Sequence, residues 1–194
     1  MADPSYNTLI QRRQGGDTIS VETGGTLDLT AATLTTPAGV GITGGTGTIY
    51  KHNLSAAGTL KRLTIYIDLT GLASSTTDLD VIGVAGGAAH IGRILAAEVG
   101  TVEAIRMTCL ELPAGGVTDI DLYCATEGTA VFDDGIAALT ETALVTAGGA
   151  WANGTTKGAT AVPAANQYMY LTCGAGGTAA TYTAGKFLIE IFGY

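Results

Sequence analysis

Leu60-Lys61-Arg62-Leu63-Thr64-Ile65-Tyr66-Ile67-Asp68-Leu69 is the stretch of sequence that decides the fold. Apolar residues stand at positions 63, 65, 67 and 69, and Arg62, Thr64, Tyr66 and Asp68 alternate with them. Because successive side chains of a β-strand point to opposite faces, this period of two predicts a half-buried strand.

The same alternation returns further along the chain. In residues 117–124, Ile120, Leu122 and Cys124 are expected to face inward, and Asp119, Asp121 and Tyr123 outward. Other predicted strands are 105–109, 167–173 and 187–192, with weaker candidates at 79–84 and 143–145. Segments rich in Gly, Asp, Asn and Pro separate them, and only residues 89–98 and 136–142 predict a helical turn or two. About eight strands with regular turn signals predict an all-β fold, a β-sandwich or jelly-roll-like barrel, over residues 49–194.

Residues 1–48 have a different sequence pattern. They contain short apolar stretches separated by glycines, at 18–21, 27–29, 33–34 and 39–45. Strands of three to five residues cannot build a core of useful size. We therefore expect an extended Gly/Thr-rich β arm, or a small β element, that is stabilised by lying on the main domain, a sister subunit or another protein.

Composition and charge exclude several classes of partner. The chain of 194 residues has a net charge of −8 and a sequence pI near 4.5. Binding to nucleic acid depends on Lys and Arg neutralising phosphates, so this balance disfavours it, and it disfavours anionic membranes too. No stretch reaches the roughly 18 apolar residues of a membrane span, and the first 13 residues contain no apolar signal region. We expect a protein made and folded in a cytoplasm, with neither a nucleic acid nor a membrane as its partner.

Residues with catalytic or metal-binding chemistry are sparse. Neither His52 nor His90 lies in a nucleophile motif, and Cys109, Cys124 and Cys173 lack zinc-ligand spacing and are expected to be buried free thiols. Three acidic pairs offer oxygen ligands to a hard cation, but a solvated acidic face is the favoured interpretation; the pairs are Asp78/Asp80, Asp119/Asp121 and Asp133/Asp134. We therefore predict that the protein is not an enzyme and has no cofactor and no metal site.

The two ends of the chain resemble a known class of proteins. Gln14-Gly15-Gly16 leads into Val21-Glu22-Thr23-Gly24-Gly25-Thr26-Leu27-Asp28-Leu29, and residues 181–194 form an aromatic-rich final strand pattern. These stretches resemble decoration (cement) and head-fibre proteins of tailed bacteriophages. The resemblance covers the two ends and the Gly/Thr/Ala texture between them.

The resemblance implies a capsid decoration protein: a β-rich chain, often a trimer, that binds the outside of the head and ties neighbouring capsomers together. The implied partners are the major capsid protein and further copies of the chain, and the implied location is the capsid surface of the virion. Tyr6, Arg12, Arg13 and Gln14 in the arm are the candidate capsid contacts, with incidental, solvated arginines as the alternative. The second hypothesis is a head-fibre or tail-associated module that presents loops near Trp151 and residues 168–170 to a receptor or glycan.

Overall fold

The computed structural model describes residues 38–177 and 179–194, together with the backbone of residues 10–12 and 19–21. The chain divides into two compact units, Met1–Thr33 and Leu34–Tyr194. In the first unit, β1 (Ile10–Arg12) pairs antiparallel with β2 (Ile19–Val21). The strand expected at 18–21 is therefore present as β2.

The second unit is all-β, which confirms the predicted fold class. Its strands are β3 (Ile49–Ala57), β4 (Leu60–Asp68), β5 (Ala73–Ser74), β6 (Val102–Ala114), β7 (Ile120–Ala125), β8 (Glu141–Val145), β9 (Thr156–Gly158), β10 (Tyr168–Cys173), β11 (Ala180–Thr181) and β12 (Ala184–Gly193). The helical segments are two single turns, α1 (Val40–Thr43) and α2 (Ala96–Val99), and a 3₁₀ turn, Ile136–Ala138.

Two antiparallel sheets form the body of this unit. The first has the order β3-β4-β12-β6-β9, and the second has the order β10-β7-β8. Residues 80–93 run along the outer edge of β10, where Val81 bridges Thr172 and Arg93 bridges Tyr168. A further small pair joins β5 to β11.

One hydrophobic core joins the two sheets. Phe187, Ile189 and Ile191 on β12 are fully buried at the centre of the five-stranded sheet. Trp151 packs edge-on against Phe187, with ring centroids 5.3 Å apart, and its indole donates to the carbonyl of Ile120 on β7 at 2.8 Å. Each fully buried Phe or Ile side chain contributes about 1.5–3 kcal/mol of apolar burial.

The predicted alternation of β4 is confirmed, because Leu63, Ile65 and Ile67 are buried against this core. The alternation predicted for residues 117–124 was wrong in one respect: every residue of β7 is buried, including Asp121 and Tyr123. β7 is the central strand of its sheet, and its second face is covered as well. Tyr170, beside it on β10, donates to the carbonyl of Glu127 at 2.8 Å and so holds the segment after β7 over that face.

The segment 39–45 forms the helical turn α1 instead of the expected strand. Gly39 donates to the carbonyl of His90 at 2.8 Å and Gly41 to that of Ala88 at 2.9 Å, and Ile42 is fully buried. A methyl group at Gly39 would lie 2.0 Å from the carbonyl oxygen of Ala88, so the close approach requires glycine. These residues pack into the main unit, which begins at Leu34, whereas the sequence placed the domain boundary after residue 48.

Candidate interaction surface

The outer face of the five-stranded sheet carries two clusters of ion-paired side chains. Leu63, Phe187 and Met107 point inward from their strands. The residues that alternate with them along each strand lie on the opposite face. We define this outer sheet face by the following residues: Lys51, Asn53 and Ser55 of β3; Arg62, Thr64, Tyr66 and Asp68 of β4; Lys186, Leu188, Glu190 and Phe192 of β12; and Arg106 and Thr108 of β6 with Glu111.

Glu190 is the hub of the first ion-pair cluster on this face. Its Oε2 accepts a hydrogen bond from Arg106 Nε at 2.6 Å, and its Oε1 lies 3.6 Å from Arg62 Nη1. The Glu190 side chain is 8% exposed, whereas the two arginine side chains are about half exposed. The Arg106 guanidinium also lies over the ring of Phe192, 5.2 Å from its centroid. The two arginines are thereby held in fixed positions and still face outward.

Lys186 forms the second cluster, four residues before Glu190 on the same face of β12. Its ammonium group donates to Glu111 Oε2 at 2.6 Å and lies 3.8 Å from Asp68 Oδ2. The hydrogen bond from Lys186 lowers the pKa of Glu111, and the same bond raises the pKa of Lys186. Both groups are therefore charged at neutral pH.

Basic residues are concentrated on this face, although the chain is acidic as a whole. Of the nine Lys and Arg residues, two precede the described body, and four of the other seven lie on the outer sheet face: Lys51, Arg62, Arg106 and Lys186. Three carboxylates share the face with them: Asp68, Glu111 and Glu190. The segments at and around the second sheet carry most of the body's other acids: Asp78, Asp80, Asp119, Asp121, Glu127, Asp133, Asp134 and Glu141. The body is thus polarised, with a slight excess of positive charge on one face and negative charge elsewhere.

One end of the five-stranded sheet exposes apolar side chains. Leu60 and Tyr194 each lie one residue beyond the Lys61–Gly193 pair of β4 and β12, and they are 54% and 60% exposed. Tyr194 also lines an open groove of about 470 Å³ with Val162, which is 54% exposed. We call Leu60, Val162 and Tyr194 the apolar end.

The predicted capsid contacts of the arm fall largely outside the described residues. Arg12 is the last residue of β1, opposite Ile19. Tyr6, Arg13 and Gln14 lie outside the part of the chain that the structure describes.

The two histidines lie in packed aromatic surroundings. His90 packs against the rings of Tyr168 and Tyr170, at centroid distances of 4.9 and 6.3 Å, and burial lowers its pKa. His52 on β3 is buried, 5.8 Å from the ring of Tyr50. Their aromatic packing gives both histidines a structural role.

All three cysteines are buried and free, as expected from the sequence. Their thiols contact neutral acceptors: Cys109 the carbonyl of Glu111, Cys124 the amide of Gln167 and Cys173 the carbonyl of Ser75. Burial raises the pKa of each thiol, to about 11 for Cys124. A raised pKa keeps the thiol protonated and a poor nucleophile.

The loops proposed for receptor or glycan binding bury their aromatic rings and expose other residues. Trp151 is 4% exposed and Tyr170 is fully buried; Tyr168 is partly buried beneath Arg93, whose guanidinium lies 5.0 Å from the ring centroid. Residues 152–154, directly after Trp151, are exposed, and the head-fibre or tail-module hypothesis stays a prediction.

Among the described residues, no three His, Cys, Asp or Glu side chains are grouped as ligands of a metal ion. In these same parts of the chain, no helix has the length and apolarity needed to cross a bilayer.

The sequence revealed part of the outer sheet face, because the alternation of β4 put Arg62 and Asp68 opposite the core. It did not reveal that Glu190 meets Arg62 and Arg106. Both arginines lie on other strands and are at least 84 positions from Glu190 along the chain. Only the pairing of β12 with β4 and β6 brings the three residues together.

No family model, no curated protein and no solved structure matches this chain.

Proposed function

We propose that the chain is a virion structural protein of a tailed bacteriophage, a decoration protein that binds the outside of the head and stabilises contacts between major capsid protein subunits. The observation that carries the proposal is the charge polarity of the body. Four basic residues and three carboxylates lie on one sheet face, a net excess of one positive charge, and the segments at the second sheet are acidic.

This polarity suits a protein that sits on a surface in one orientation. The outer sheet face offers fixed arginines and lysines to an acidic or polar partner surface, and such complementarity sets orientation and speeds association. The acidic side then faces solvent, where negative charge keeps densely displayed copies soluble. The separate compact unit Met1–Thr33 supplies a second point of attachment, with Arg12 as the described member of the candidate arm contacts.

The apolar end is where we expect copies of the chain to meet in a trimer. Leu60 and Tyr194 are neighbours at the end of the sheet, Tyr194 shares a groove with Val162, and burying such exposed apolar groups favours association. In light scattering after gel filtration, we expect the native chain to run as a trimer and the double variant Leu60→Ser/Tyr194→Ser to dissociate to a monomer. A native monomer at micromolar concentration would remove the trimer from the proposal.

Copy number in purified virions tests the function directly. Quantitative mass spectrometry against the major capsid protein should give a count comparable to that protein, or about a third to a sixth of it. A handful of copies per particle would replace decoration with the head-fibre or tail-module alternative, and absence from the virion would end the proposal.

A charge variant tests the docking face. Lys51 is exposed on the outer sheet face, so Lys51→Glu reverses one charge there. We expect weaker binding to purified heads and a shallower dependence on salt. Lys61→Glu is the matched control, because it makes the same change in net charge. Lys61 lies beside the β3–β4 turn, at a position of β4 that alternates with those of the outer sheet face. Equal loss from both variants would show that overall charge, and not this face, governs binding.

A further inference from the structure

A notch on the second sheet brings two carboxylates to one point. Asp119 and Asp121 are alternate residues that share one face at the start of β7, opposite Gly174 and Thr172 of the neighbouring strand. A methyl group built at Gly174 would lie 2.6 Å from Asp119 Oδ1 and 2.9 Å from Asp121 Oδ1. The two carboxylate oxygens therefore both pack closely against Gly174, at a position where a larger residue would collide with them.

Two polar side chains at this notch are buried with no hydrogen-bond partner within the described residues. Asp119 is 8% exposed and its Oδ1, the atom that faces Gly174, has no donor. Thr172 is fully buried, lies directly opposite Asp121, and its hydroxyl is also without a partner. An unsatisfied buried oxygen costs about 1–3 kcal/mol, more when it is charged, so two of them at one place point to a missing counterpart.

The electrostatics of the notch favour a positive counterpart. Asp121 lies near the negative charges of Asp119 and Asp78, and the positive charge of Lys157 offsets part of that repulsion. The N–H of Ala147 donates to Asp121 Oδ1 at 2.6 Å and so satisfies one carboxylate oxygen only. Lys157 is the nearby cation, but its ammonium group donates to the carbonyl of Ala147. A proton or a metal cation at the notch would relieve the repulsion that remains.

We propose that the notch binds a calcium ion through Asp119 Oδ1 and Asp121 Oδ1, with further oxygens from neutral groups and water. The ligands are hard oxygens, and calcium accepts six to eight of them in irregular geometry, whereas magnesium demands a near-ideal octahedron. Two carboxylates make a low ligand charge, which corresponds to the weak class of sites with a dissociation constant of about 10⁻⁴–10⁻³ M. The site lies beside the turn after β10, where Gly177 donates to the carbonyl of Thr76 at 3.2 Å.

The first experiment is a calcium titration of the full chain, followed by calorimetry and by thermal unfolding at pH 7. At a calcium concentration ten times the dissociation constant, the midpoint Tm should rise by about 3–6 °C relative to EDTA. Calorimetry should show one site per chain, and magnesium at the same concentration should give a smaller shift. A wild-type Tm unchanged by calcium up to 10 mM, with no heat of binding, would overturn the proposal.

Three variants locate the site. Asp119→Asn and Asp121→Asn remove its charge, and Gly174→Ala places a methyl group against both Oδ1 atoms. Each should abolish the calcium-dependent rise in Tm. Asp133→Asn is the matched control, because it removes one exposed carboxylate charge from the same acidic side, and it should keep the full rise. If the Asp119 and Asp121 variants keep the rise, the ion binds elsewhere and the notch is not the site.

Discussion

Replacing Glu190 by glutamine tests whether the outer sheet face is held by its ion pairs. The Glu190 carboxylate is 8% exposed and accepts a 2.6 Å hydrogen bond from Arg106, with Arg62 at 3.6 Å. Charged hydrogen bonds of this kind contribute about 1.5–3 kcal/mol, and ion pairs between exposed groups about 0–1 kcal/mol. Because the arginines are half exposed and glutamine can still accept from Arg106, we expect Glu190→Gln to lower the free energy of unfolding by about 1.5 kcal/mol.

The assay is urea denaturation at low salt, followed by circular dichroism, with thermal unfolding in parallel. A loss of about 1.5 kcal/mol corresponds to a fall in Tm of about 3–6 °C for a chain of this size. Glu103→Gln is the control, because Glu103 is an exposed residue of β6, and it should change stability by less than about 0.5 kcal/mol.

A double-mutant cycle isolates the pair itself. Arg106→Gln, Glu190→Gln and the double variant should give a coupling energy of about 1 kcal/mol, which high salt reduces only partly because Glu190 is buried. A coupling energy below about 0.3 kcal/mol would refute the reasoning, because Arg106 would then not be held by Glu190.

Three further predictions concern the body of the fold. Gly39→Ala should destabilise it by about 2–3 kcal/mol, because the new methyl group collides with the carbonyl of Ala88; Gly158→Ala, which meets nothing within 4 Å, is the control in the same denaturation assay. Burial raises the pKa of Asp121 above its unfolded value, so the folded state holds the proton more tightly than the unfolded chain does. The contribution of Asp121 to stability therefore falls as the pH rises from the unfolded-state pKa through the folded-state pKa. In EDTA, Asp121→Asn should therefore gain stability relative to wild type from pH 4 to pH 7, and a difference that does not vary with pH would contradict this. The three buried thiols should react with a thiol reagent only as fast as the chain unfolds, and rapid labelling of the native protein would show that a cysteine is accessible.

The sequence determined the fold class because the decisive pattern is local. In residues 60–69 the period of two specifies both the strand and its buried face, and β4 forms with Leu63, Ile65 and Ile67 in the core. Glycine-marked turns and the burial of the cysteines could be predicted for the same reason, since each depends on the residues and their close neighbours. The proposed location on a phage head comes from the resemblance at the two ends of the chain and remains a prediction.

Tertiary structure decided what depends on which strands are neighbours. The pattern of β7 matched that of β4, yet Asp119 and Asp121 are buried because Ala147 and the strand that carries Thr172 and Gly174 pack beside them. Likewise, residues 39–45 form a helical turn because their backbone N–H groups find carbonyls near His90, which lies some 50 residues away along the chain. Alternation predicts on which face of a strand a side chain lies. Only strand order and loop packing determine whether water, a cation or another strand contacts the side chain there.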